Sequence, residues 1–413
     1  MSVPRQVFEM MKAASEAHAR WDYEVSMNIM ASKKKLFMLL IMALPIFFIS
    51  AADAADMLGS KTAYAPAFYS NEVFLVSILI GLGAGLITGA IGAGGGFIIT
   101  PALMAIGVKG ILAVGTDLFH IFAKAIMGTA VHKKLGNVSV KLAMAFLVGT
   151  FTGTFIGGYI NMTLYNIDPA LSDTFISVVY ALLLGFLGFY SLADYLKAKK
   201  AGDTGDAHGG TSEISAMGKK IQSINIPPMI TFDEDFGGRK ISGVVLALGG
   251  VIVGTVAAIM GVGGGFITFP MFVYGFGIST MTTVGTDILQ IIFTAGVAGI
   301  GQYAIYGYVF YTLAMGMLLG SLIGIQVGAL TTKVVKGIHI RAFYAITILA
   351  GFINRLSVLP KRFNELGFVN ISNSVVGGIE VVGNILFWAV IGFFGVWIFS
   401  KFFGKIGELR GQG

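Results

Sequence analysis

Hydrophobic positions in this chain fall in long unbroken stretches, not at the intervals of a surface helix or strand. Uncharged runs of membrane-spanning length recur at Val73–Val108, Leu142–Ile160, Ile241–Thr286, Val309–Thr332 and Val381–Ser400. About 20 consecutive apolar residues carry a helix across a bilayer. The pattern therefore predicts an all-α polytopic membrane protein whose first partner is the lipid bilayer.

Polar stretches divide the chain. Residues 1–35 are expected to be a cytoplasmic N-terminal extension, and 36–72 a signal-anchor-like helix with an outer segment. Residues 73–196 form a first transmembrane repeat, 197–240 a cytoplasmic loop or linker, and 241–358 a second repeat. An outer loop, a final transmembrane helix and a cytoplasmic tail fill 359–413. Lys33–Lys35 followed by the apolar Leu36–Ser50 also resembles a cleavable leader. The anchor reading is preferred because a long segment precedes the basic cluster, and both readings put Asp53–Asn71 outside.

Composition agrees. Of 413 residues, 55% are hydrophobic and 12% charged, about half the charged fraction of a soluble domain, and the mean hydropathy is +0.83. The net charge of +7 comes mainly from short segments between apolar runs, which is the positive-inside pattern and not a nucleic-acid footprint. With no cysteine, disulfides and thiolate chemistry are excluded. The five histidines form no metal-ligand spacing, so neither metal nor cofactor is expected.

The two apolar halves repeat one another. GAGGGFIITP at 92–101 returns as GVGGGFITFP at 261–270, identical at seven of ten positions, and each copy leads to VGTD, at Val114–Asp117 and Val284–Asp287. Further on, Gly149, Gly153 and Gly157 match Gly316, Gly320, Gly324 and Gly328. Four-residue spacing puts each set on one helix face, where missing side chains let two helices approach closely in lipid.

Loop charges predict opposite orientations for the halves. Lys133, Lys134 and Lys141 follow the first VGTD helix, while the counterpart QYAIYGYV is uncharged. The next loop reverses the bias, with Asp168 and Asp173 against Lys333, Lys336 and Arg341. An inverted-topology repeat follows. With Asn71 outside and Lys133 inside, Phe74–Val108 must cross an even number of times. The simplest solution is a re-entrant hairpin: Phe74–Ile91 descends, the glycines turn, and Phe97–Gly107 returns as a short leg. Ile241–Met260 and Phe266–Gly277 should do the same from the other side.

Backbone that leaves a helix at membrane depth survives only where it is buried in protein or faces a watery cavity. Three consecutive glycines permit such a turn, and Pro101 and Pro270, near the first turn of the short helix, cost it little. The free amides that open the new helix favour an anion. Close packing alone would also explain one copy, but a duplicated, oppositely oriented copy favours a site. The last glycine of a nucleotide-binding fingerprint is missing, since Phe97 stands there.

Asp117, His120 and Lys124 stand at i, i+3 and i+7 of GTDLFHIFAK, and Asp287, Gln290 and Thr294 take the same offsets in the second half. Ionisable groups within a membrane point to function. Asp117 and Asp287, each preceded by a threonine (Thr116, Thr286), are equally able to cap their helices. Lys124 either faces a site or reaches for the cytoplasmic surface. His120 either titrates near neutral pH or merely bonds a carbonyl. Asn354, Arg355 and Glu380 are expected at the membrane interface.

With paired GxGGGFxxxP segments, paired VGTD segments and glycine-ladder helices, the chain resembles the sulfite exporter TauE/SafE family of permeases, also called the toluenesulfonate uptake permease family. The resemblance covers roughly residues 73–350. It implies transport of sulfite, sulfonates, sulfoacetate or related small anions across the cytoplasmic membrane. The N-terminal extension, the long central loop, and the presence of His120 and Lys124 in one half only depart from it.

The expected function is thus an inverted-repeat permease for a small sulfur oxyanion or sulfonate in the cell's cytoplasmic membrane. Gly92, Gly94, Gly95, Gly96 and Phe97, with Gly261, Gly263, Gly264, Gly265 and Phe266, would offer backbone amides. Lys124 would supply charge, and His120, Gln290 and Thr294 hydrogen bonds. Thr116 with Asp117 and Thr286 with Asp287 would shape the turns or carry a coupling proton. Export could run without coupling, uptake would need H+ or Na+, and a homodimer is compatible with either. The alternatives are an anion channel, which would need a continuous polar lining, and a transporter of a non-sulfur organic anion. An intramembrane enzyme would need a nucleophile–base pair that no span carries, and a scaffold would not explain the duplicated charged helices.

Overall fold

Apolar runs in lipid must satisfy every backbone group within the protein, and the described residues of the long runs are mainly helical. The computed structural model describes residues 71–91, 95–134, 138–200, 216–232, 238–332 and 334–405, all within one compact unit. The basic cluster and apolar run between Ser32 and Met57 lie outside the described residues, as do Gly92 and Gly94.

The first half contributes α1 (Asn71–Ile91), α2 (Gly96–Ala105), α3 (Gly110–Lys134), α4 (Val140–Ile167) and α5 (Pro169–Lys200). In the second half α7 (Gly243–Met260) is followed by α8 (Gly265–Pro270), which runs on as a π-helical turn over Met271–Gly275. Next come α9 (Thr280–Ala298), with a π-helical turn at Gly299–Ala304, then α10 (Tyr311–Thr332), α11 (Gly337–Glu365) and α12 (Asn373–Gly404). Between the halves lie α6 (Ala216–Gln222) and an antiparallel pair of strands, β1 (Met229–Phe232) and β2 (Arg239–Ser242). Among the described residues, seven helices are long and apolar enough to cross a membrane: α1, α4, α5, α7, α10, α11 and α12. The chain is a multi-pass membrane protein.

Two of those spans, α5 and α11, were not among the uncharged runs. Their charges are engaged inside the protein or at its edge. Asp173 accepts the Gly110 amide at 2.7 Å and pairs with Arg362 at 3.3 Å, so its charge closes the start of α3. The stretch read as a linker is partly folded. Phe232 of β1 and Ile241 of β2 are buried with Leu142 and Phe146 of α4, Leu246 of α7 and Phe272 of the π-helical turn.

The packing is reciprocal. α1 lies against α10, α4 against α7, α3 against α9, and α5 against α11. Each pair takes one helix from each half, so the halves are interleaved and not set side by side. The glycine ladders make two of these pairs. A Cβ on Gly153 of α4 would overlap the Val251 carbonyl oxygen of α7, and one on Gly320 of α10 would overlap the Ile78 carbonyl oxygen of α1. At such distances the two backbones leave no room for any side chain.

Candidate anion site between two glycine turns

Each half breaks its helix at the repeated glycines. Gly95 (φ 72°, ψ −10°) and Gly264 (φ 97°, ψ −24°) are both left-handed and open α2 and α8. That conformation costs a residue with a Cβ about 1–2 kcal/mol, which is why glycine stands there. Their carbonyls accept the first bonds of the new helices, from the Ile98 amide at 3.1 Å and the Ile267 amide at 2.9 Å. Gly261 (φ 79°) and Gly263 (φ 65°) are left-handed as well.

The two turns touch. A Cβ on Gly96 would sit 2.9 Å from the Cα of Val262, and the rings of Phe97 and Phe266 lie 5.9 Å apart, centre to centre. The second turn also rests on α3: a Cβ on Gly261 would meet the Val114 Cα at 2.7 Å, and one on Gly263 the Ile121 side chain at 2.8 Å. α2 has 10 residues, about 15 Å of helix, half a bilayer core. Pro101 and Pro270 stand further from the helix start than expected. The helices begin at Gly96 and Gly265, so each proline falls past the four free amides, and in the second half its helix passes into the π-helical turn.

The polar stripes of α3 and α9 meet these turns. Asp117 accepts from Thr100 of α2 at 3.0 Å through Oδ2. His120 Nε2 lies 2.9 Å from Ser321 Oγ of α10, and that hydroxyl donates to the Gly81 carbonyl of α1 at 3.1 Å. Lys124 is half-buried, with Nζ 3.7 Å from where a Cβ on Gly95 would be. Its ammonium therefore stands at the glycine turn, one helical turn beyond His120. In the second half, Gln290 donates to Asp287 Oδ1 at 2.9 Å and accepts from Thr294 at 2.8 Å. A Cβ on Gly264 would lie 3.6 Å from Gln290 Nε2, and one on Gly265 would lie 3.1 Å from Asp287 Oδ2.

Three expectations change. Asp117 and Asp287 do not cap helices, because α3 starts at Gly110 and α9 at Thr280. Both carboxylates are two turns in, fully buried or nearly so, and Ser279 caps α9 instead by accepting from the Thr282 amide. Thr116 and Thr286 are clamps between the halves. Thr116 accepts the Phe310 amide just before α10 at 2.8 Å, and Thr286 the Ser139 amide just before α4 at 3.0 Å.

Asn354 and Arg355 do not face outward at an exposed surface. Both are buried within the protein, Arg355 at 1% exposure. Its guanidinium donates to Asn354 Oδ1 at 2.6 and 2.9 Å and to the Pro101 carbonyl of α2 at 3.3 Å, holding the short helix from its far side. Glu380 does remain at an edge, paired with Lys361 at 2.8 Å. The signal for Arg355 was a single charge in the otherwise uncharged stretch GFINRLSVL. Truncating it strands the buried Asn354 Oδ1, at about 1–3 kcal/mol, and removes the tie to α2. Arg355→Ala should therefore lower the thermal unfolding midpoint in detergent, and Arg355→Lys should not restore it, because a point charge cannot reproduce the fork.

A family model for sulfite exporter TauE/SafE matches residues 77–355. The chain belongs to the TauE/SafE family. Among its relatives, the probable membrane transporter protein YunE of Bacillus subtilis is 28% identical over 270 residues, covering 62% of this chain and 87% of that protein. The probable membrane transporter protein YjnA of the same organism is 23% identical over 252 residues, covering 61% and 87%. MJ0441 of Methanocaldococcus jannaschii, also described as a probable membrane transporter protein, is 23% identical over 283 residues, covering 64% and 88%. No solved structure matches the chain. The matched span begins inside α1 and ends at Arg355, so both glycine turns, both polar stripes and the buried arginine fall within the family's part of the chain.

Proposed function

We propose that this TauE/SafE protein is a carrier for a small anion, a sulfur oxyanion or a sulfonate, and that the anion's head group binds where the two glycine turns meet. The observation that carries this reading is the Lys124 ammonium at the Gly95 turn, beside its apposed counterpart from the second half. A cation, amides opening a helix, and a low-dielectric surrounding together favour a compact oxyanion. Head-group size selects the substrate, because Phe97 and Phe266 pack behind the turns.

The reciprocal packing supports inverted halves. Helices that exchange partners across the halves, with matched clamps at Thr116 and Thr286, are what two oppositely oriented repeats require if one rocks against the other. Transport, not a chemical reaction, fits the descriptions of the family and its relatives. An inside-negative potential of 100 mV favours expelling each negative charge by about 2.3 kcal/mol, so export is the downhill direction for an uncoupled anion.

Flux of labelled sulfite and of a short sulfonate series into proteoliposomes tests the reading. Saturable uptake that unlabelled anion on the far side accelerates is the expected result. Flux that rises linearly with concentration would make the protein a channel. Absence of flux for every anion, under either polarity of potential, would remove the substrate class.

A further inference from the structure

We propose that Asp117 and His120 form a proton-binding dyad that holds one exchangeable proton between Asp117 Oδ1 and His120 Nδ1, and that this proton travels with the anion. The inference rests on the transport reading above. Its basis is a pair of orphaned atoms. Asp117 Oδ1 and His120 Nδ1 are both buried, neither has a hydrogen-bond partner, and they face each other at 3.7 Å. The rest of each side chain is committed. Asp117 Oδ2 is held by Thr100. With the Ser321 proton on the Gly81 carbonyl, His120 Nε2 is the donor to Ser321.

His120 Nδ1 then either carries a second proton or presents a bare lone pair to the carboxyl group. Two bare lone pairs facing each other at a site closed off from the surface are costly. One proton, on either atom, removes the conflict. At 3.7 Å the bond is not closed, and a movement of under about 1 Å would bring it to hydrogen-bond length, so the proton is not locked in place.

The second half is the built-in contrast. At the matching position Gln290 gives Asp287 Oδ1 a permanent N–H at 2.9 Å and is itself held by Thr294. Asp287 thus has a donor that does not titrate, whereas Asp117 faces one that does. Lys124 supplies the link to the anion, since its charge acts on both Asp117 and His120. An ammonium beside the dyad opposes a second positive charge on His120. An anion beside that ammonium offsets the opposition, so anion and proton favour each other's binding, and by linkage the effect is mutual.

Other elements packed on α3 add little charge at the dyad. α10 offers Ser321, α1 the Gly81 carbonyl, and α2 Thr100. α5 offers Tyr180, which also acts on Asp117 and hydrogen-bonds the Met260 carbonyl. α9 turns Asp287 towards Gln290 and Gly265. The π-helical turn brings Tyr303, whose hydroxyl donates to the Ala258 carbonyl.

The test uses the full chain in proteoliposomes with the membrane potential clamped at zero. For a monovalent anion moving with one proton, an imposed pH difference should drive accumulation of about tenfold per pH unit. The quantity compared is anion flux under an imposed pH difference divided by the same flux at equal pH. His120→Gln, which copies the second half, should bring that ratio to one whatever absolute rate remains. A ratio that still follows the pH difference in His120→Gln, or a wild type driven by sodium and not by protons, overturns the proposal while leaving the carrier intact. If no anion is transported, the proposed function fails, and infrared pH titration of the membrane-embedded protein still decides the dyad. A carboxylic-acid band lost in Asp117→Asn and insensitive to pH in His120→Gln supports it. A wild-type spectrum in which neither side chain responds to pH overturns it.

Discussion

Lys124→Ala should raise the half-saturating concentration for the transported anion by at least tenfold, and lower maximal flux, while the protein still purifies as a folded species. Lys124 is half-buried, so truncation opens no fully enclosed cavity and costs modest stability. Its ammonium is a different matter. A hydrogen bond to a charged group is worth about 1.5–3 kcal/mol, and each 1.4 kcal/mol is a factor of ten in affinity. Losing that contact, and the field of a cation at the Gly95 turn, gives a weakening of about ten- to a hundredfold. Lys124→Arg should recover part of the affinity at best. The longer, planar guanidinium keeps the charge but cannot occupy the same point. The measurement is concentration-dependent flux for wild type and both variants in one lipid mixture, beside a thermal melt of each. Unchanged saturation in Lys124→Ala would place the anion away from α3 and leave the glycine turns alone as the site.

What could be read from the chain before its structure depended on how local the cause was. The glycine turns were legible because the motif is written twice, and a left-handed glycine opening a helix is dictated within a few residues. The charged stripes were legible because i, i+3 and i+7 lie on one helix face wherever that helix packs. By contrast, the roles of Thr116 and Thr286 were not, since their partners stand 194 and 147 residues away. Arg355 hides for the same reason, its Pro101 contact being 254 residues distant. Reading it as interfacial assumed that a charge in an apolar run must seek water, whereas Asn354 and a helix carbonyl take water's place. The β1–β2 pair was missed because its flanking glycine, proline and acidic residues outweigh eight strand residues. Orphaned atoms such as Asp117 Oδ1 and His120 Nδ1 are legible in no sequence. They exist only once every other partner has been placed.

Gly320→Val should prevent the protein from assembling. The side chain would have to occupy space already held by the Ile78 carbonyl oxygen, with the Leu82 amide nitrogen at 2.6 Å from even the first added carbon. Overpacking of an ordinary core costs about 1–3 kcal/mol because side chains shift aside. Here the obstruction is backbone, which moves only if α1 and α10 separate along their length. That contact joins one half of the molecule to the other, so separating it also pulls on the Gly81 carbonyl, the Ser321 hydroxyl and, through Ser321, the imidazole of His120. Gly153→Val should act in the same way on α4 and α7. Gly392→Val is the control, because that glycine on α12 has nothing within 4 Å of an added Cβ. Size-exclusion profiles and thermal melts of the three variants, purified side by side, check the prediction. Loss of the monodisperse peak in the first two but not the third ties the fold to the glycine ladders. Wild-type behaviour in Gly320→Val would mean that the halves hold together without close approach of α1 and α10, and the site would then have to rest on the α4–α7, α3–α9 and α5–α11 contacts.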